Sequence, residues 1–126
     1  MRANLGLTYI VGRAIFGAFF LQSGINHFKE SKAMAGYAAA KHLPYPELSV
    51  KMSGALLVGS GLSLLTGIKP QMGSAGVVTF LVAATLNMHD FWNQSDPGQK
   101  QNEMIHFSKN IALLGAAMAI GAEAEK

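Results

Sequence analysis

A chain of 126 residues has room for one domain, and in this one half the residues are apolar while only 13% are Asp, Glu, Lys or Arg, about half the usual share. So little charge does not coat a water-soluble globule of this size, and a mean hydropathy of +0.26 is all that supports the weaker alternative, a soluble helical bundle with a rich core. The net charge of +3 lies in connecting segments and helix ends with no dense basic run to follow a phosphate backbone, which argues against nucleic acid, and the lack of cysteine excludes disulfides, thiolate chemistry and iron–sulfur clusters.

The first span is expected from about Leu5 to Phe28. It is too long for the apolar stretch of a signal peptide, carries Arg13 inside it, and is read as a retained anchor. A charge inside a span is costly unless it faces protein or water, so Arg13 is expected to point into the bundle, with snorkelling to the nearer interface as the alternative. Gly17, Phe20, Gly24 and His27 continue the same helix face.

Between Lys29 and Lys51 the charge density rises. Ser31 to His42 reads as a short helix with Met34, Tyr37, Ala38 and Lys41 at helical spacing, stopped by Pro44 and Pro46. Too short to span, it is expected to lie along the membrane interface or to fold as a lid over the bundle mouth.

The second span is expected from 52 to 68, seventeen uncharged residues rich in Gly and Ser that suit close helix contact. The third runs from 71 to 92 after the short linker Lys69-Pro70-Gln71. Between Lys69 and Asp90 stand twenty residues without formal charge, roughly 30 Å of helix and the thickness of a hydrocarbon core. Gly76, Ala83 and Asp90 form a seven-residue ladder expected to face inward, with Thr79 and Asn87 beside it. Asn93 to Glu103 reads as a loop, and the fourth span as 104 to 122, with His106, Lys109 and Asn110 on one face. The predicted fold is thus all-α: a membrane four-helix bundle with a short interfacial helix between spans one and two.

Four spans place the first and third loops on one side, where all four histidines gather. The candidate ligand pocket there comprises His27, Asn87, His89, Asp90, Trp92, His106, Lys109 and Asn110, with Arg13 about 10 Å deeper. Asp90 and Lys109 are at similar depth and are expected to pair. Lys and Arg counts favour this side as cytoplasmic. A quinone head group suits hydrogen-bond donors such as His, Asn and Lys beside an aromatic wall, which Phe20, Phe91, Trp92 and Phe107 supply. Haem is the weaker cofactor candidate, with His27, His89 and His106 as ligands at no diagnostic spacing. No zinc-type spacing is present. The alternative to a pocket is that Arg13, Asp90 and Lys109 only fix helix register while His89 and Trp92 form an interfacial belt.

Ser23-Gly24-Ile25-Asn26-His27-Phe28, Tyr37-Ala38-Ala39-Ala40-Lys41 with Pro44-Tyr45-Pro46-Glu47, the Gly-rich second span, His89-Asp90-Phe91-Trp92 and Lys109-Asn110-Ile111-Ala112-Leu113-Leu114-Gly115 occur in the order that resembles the DoxX family of small bacterial membrane proteins. The resemblance implies a compact four-span bundle in the bacterial inner (plasma) membrane. It includes relatives that act as a small subunit of a thiosulfate:quinone oxidoreductase, and others linked to membrane redox or detoxification complexes. By position Arg13, Asp90 and Lys109-Asn110 match the family's polar positions, with no catalytic role certified. The expected function is a non-catalytic or weakly catalytic subunit of a membrane redox assembly, with the bilayer, redox subunits and a second copy as candidate partners. A small-solute transporter or channel and a purely structural protein are the rival classes.

Overall fold

The structure, a computed structural model, describes residues 6–125; the expected span start at Leu5, with Arg2 and Lys126 of the charge count, lies outside them. Five α-helices follow one another with no strand among the described residues: α1 Gly6–Lys29, α2 Ser31–Ala40, α3 Pro46–Thr66, α4 Pro70–Met88 and α5 Pro97–Ala124, with a 3-10 turn Phe91–Asn93 between the last two. The architecture is the all-α, membrane-like bundle that the composition demands.

Local chemistry sets the boundaries. Pro46, Pro70 and Pro97 each open a helix, where a missing N–H costs nothing. Gly67, at φ 81°, closes α3 in the left-handed conformation, its N–H donating to the Ser63 carbonyl at 2.8 Å. The Asp96 carboxylate accepts from the Gln99 N–H at 2.9 Å and caps α5. Two expected boundaries shift for these reasons. α3 starts at Pro46 rather than at 52, because Lys51 turns outward to pair with Glu47 at 3.3 Å one turn away. α5 starts at Pro97 rather than at 104, so most of the expected loop is helix.

α1 packs antiparallel on α3, α3 on α4 and α4 on α5, while α2 lies against α3. Hydrophobic burial does not drive helices together in lipid, so close approach must. Gly17 and Gly24 of α1 meet Gly61 and Gly54 of α3 with backbone almost touching: a Cβ on Gly24 would fall 2.7 Å from the Val58 nitrogen, and one on Gly17 or Gly61 would strike the partner's backbone more closely. Phe20, Leu57, Leu64, Val77, Leu81 and Ala117 fill the centre. Outside, Leu7, Ile15, Leu62, Met72, Leu86, Ile111 and Met118 are exposed, an apolar coat suited to lipid.

Three helical segments are long and apolar enough to cross a membrane: Pro46–Thr66, Pro70–Asn93 and Pro97–Ala124. α1, of 24 residues, matches them in length. Arg13 interrupts its apolar run but faces the bundle as expected, its Nε donating to the Leu64 carbonyl at 2.9 Å and its guanidinium lying against Gly67.

Candidate functional site

The end of the bundle formed by the C-termini of α1 and α4, the N-termini of α3 and α5, and α2 carries a connected polar cluster built on Glu103. This carboxylate lies in the second turn of α5 and is 1% exposed, the most enclosed ionisable side chain described. An enclosed carboxylate is tolerated only if its oxygens are matched. Here Oε2 accepts from Lys41 Nζ at 3.0 Å, and Oε1 faces His89 Nδ1 at 3.1 Å. Lys41, just past the end of α2, also donates to Asp90 Oδ1 at 2.6 Å, and Asp90 Oδ2 accepts from Asn93 Nδ2 at 3.0 Å. The cluster therefore joins α2, the segment after α4, and α5.

Asp90 is paired, but with a different lysine from the one expected. Lys109 is exposed on the outer side of α5 and takes no part, because α5 turns Glu103, His106 and Asn110 inward at helical spacing and carries Lys109 away. The inward face of α4 is also corrected: Gly73, Ser74, Val77, Leu81 and Thr85 are buried, whereas Ala83 and Asn87 are exposed and the Asn87 amide donates back to the Ala83 carbonyl at 2.7 Å.

Burial alone would lower the pKa of Lys41, but the hydrogen bonds it donates to Asp90 and Glu103 outweigh it and hold the ammonium above its ordinary value of 10.5. Tyr37, whose ring lies 5.9 Å from the Lys41 ammonium, is raised from 10.0 by burial first and by the charge of Glu103 next.

The site deepens along α4 and α5. Ser74 donates to the Ala117 carbonyl and His89 meets Glu103, and this antiparallel register puts Thr85 level with His106 and Leu81 level with Asn110. His106 stacks on His89 with ring centroids 5.0 Å apart and planes 19° from parallel. Asn110 is buried, and the buried Thr85 Oγ1 has no hydrogen-bond partner. A column of polar groups thus descends from Glu103 toward the apolar centre. Beside the mouth, Phe91, Trp92 and Phe107 pack edge to face with centroids 5.2 to 5.8 Å apart, Trp92 half exposed.

Of the other expected site residues, His27 is buried on α1, its Nδ1 donating to the Ser23 carbonyl at 2.7 Å and its ring edge-on to Phe80. Arg13 binds α3 toward the other end and does not join the cluster. The parallel stack of His89 on His106 is not the arrangement of two axial haem ligands, which approach an iron from opposite faces. Among the described residues no set of three or more His, Asp or Glu is arranged to hold a metal ion.

Lys41 and Glu103 were missed as site residues by sequence reasoning. The polar composition of 93–103 reads as a loop and hides Glu103, yet Asp96-Pro97, an N-cap followed by proline, signals that α5 begins early enough to carry Glu103 on the face of His106 and Asn110. For Lys41 no sequence signal exists beyond its place in the short helix.

A family described as DoxX matches residues 8–90. The curated proteins contain no match to this chain, and neither do the solved structures.

Proposed function

The chain belongs to the DoxX family of membrane proteins, and on that premise we propose that it is a small subunit of a quinone-linked redox assembly in the bacterial inner membrane, holding a quinone head group at its polar mouth. In this reading α1 is the fourth span and the chain is one membrane domain. The observation that carries the reading is the enclosed Glu103 with Lys41 and His89 around it at the end of an otherwise apolar bundle. A register lock needs one matched pair; here two carboxylates, an ammonium and a stacked imidazole pair converge beside aromatic rings.

The donor set fits a quinone. Ammonium and imidazole N–H groups are the donors that ring carbonyls take, and the bilayer delivers a lipophilic ring to this depth. A bound quinone would supply two-electron redox chemistry that the side chains lack. The chain's own part is to orient the ring through His89 and His106, with the Glu103 carboxylate holding His89 in place.

Native mass spectrometry of the protein gently extracted from its own membrane tests this. Retention of one quinone per chain together with companion redox chains is expected. A bare chain, or companions with no quinone, contradicts the head-group site.

A further inference from the structure

We propose that α2 and the segment from Lys41 to Tyr45 are a lid over the polar mouth, held shut by Lys41. The lid regulates access to the site proposed above and rests on that reading for its purpose, though not for its mechanics.

Four observations carry it. First, α2 is only ten residues long, below the length at which a helix holds itself together in water. It buries one residue, Ala38, and no side chain caps its N-terminus. Second, its polar ties to the α4–α5 side of the bundle gather at its C-terminal end: the Lys41 ammonium bridges Asp90 and Glu103 at 2.6 and 3.0 Å, and the Tyr37 hydroxyl of α2 faces Glu103 beside it. No hydrogen bond or ion pair from α1 or α3 reaches the cluster among the described residues. Third, the return segment from α2 to α3 holds His42 at φ 64° in the left-handed region besides Tyr45 at φ 46°, which precedes a helix-opening proline just as Lys69 does at φ 49° in the α3–α4 turn. Such strain persists only while the surroundings enforce it and gathers where a segment moves. Fourth, Glu103 is sealed with the lid's own ammonium against it, so removing Lys41 opens the mouth at the group a ligand would meet.

These observations fit a latch better than a fixed brace. A brace would be anchored through fully buried apolar contacts along its length, whereas α2 buries Ala38 fully and Met34 and Ala35 only in part, and gathers its polar anchoring at one end, in Lys41 and Tyr37.

The chain has no cysteine, so an introduced thiol reports a single position. Ala38→Cys places it under the lid, at a residue 2% exposed, and Ala117→Cys places one in the bundle core, at a residue 0% exposed. Both are labelled with a water-soluble maleimide in lipid nanodiscs, with and without Lys41→Met. The lid predicts that Lys41→Met speeds labelling at position 38 at least tenfold and leaves position 117 unchanged. No change at 38, or an equal rise at both positions, overturns it. Should Ala38→Cys fail to fold, hydrogen exchange of the α2 amides in the Lys41→Met variant replaces it, with at least tenfold faster exchange in α2 than in the original chain and none in α3; unchanged or uniform exchange overturns the lid. Neither readout involves a quinone. A moving lid on a chain that binds no quinone removes the functional reading and keeps this one, and a static lid on a quinone-binding chain does the reverse.

Discussion

The α1–α3 seam and the polar mouth hold the molecule by opposite means. In the seam, Gly17, Gly24, Gly54 and Gly61 let two backbones touch, so cohesion comes from side-chain atoms that are missing. At the mouth it comes from charges brought together, with Lys41 between Asp90 and Glu103. Close packing of this kind is indifferent to pH and to ligands. A charge cluster responds to both, and an enclosed carboxylate stays safe only while its cation remains. The seam is the rigid frame, and the mouth is the part that can respond.

Breaking the seam has the largest expected effect. Gly61→Val puts a branched side chain into the Leu21 backbone, which has nowhere to move, and should cost about 3 kcal/mol or more, read as a fallen melting temperature in detergent or as loss of folded protein. Lys41→Met strips Glu103 of its cation and should cost about 2 to 3 kcal/mol in the same assay, with Lys41→Arg recovering much of it. Arg13→Met removes a hydrogen bond to the end of α3 and should cost about 1 kcal/mol. Lys109→Met should change stability by less than about 0.5 kcal/mol, since Lys109 is exposed; a larger loss would restore a pairing role for it.

The sign of the pH dependence at the mouth follows from Lys41. Its pKa is raised on folding, so its contribution is complete below the ordinary value of 10.5 and is lost as pH rises through the folded value. Melting temperatures of the original chain and the Lys41→Met variant should therefore differ by a constant amount from pH 7 to 9 and converge above pH 10.5.

Much of the frame was legible in the sequence. Gly17, Phe20, Gly24 and His27 share a buried face because their spacing fits the helical period, and Arg13 turns inward because lipid rejects its charge. The site was legible only in part. α4 is apolar nearly all round, so no stripe of polarity marks its inner side, and Asn87, expected inward from its spacing, is exposed and satisfies itself on Ala83. Glu103 was hidden by the polar composition of its neighbours, although Asp96-Pro97 announced the helix that carries it. Lys41 meets Asp90 across 49 residues, a contact made by the folding of α2 over the mouth, which no local pattern encodes.

The most direct test is equilibrium binding of a short-chain ubiquinone to the protein in nanodiscs, with the original chain beside Glu103→Gln. The account predicts saturable binding at one quinone per chain, weakened at least tenfold by Glu103→Gln while the variant stays folded. Absence of saturable binding, or equal affinity in the two proteins, would contradict the claim that the mouth built on Glu103 is a head-group site.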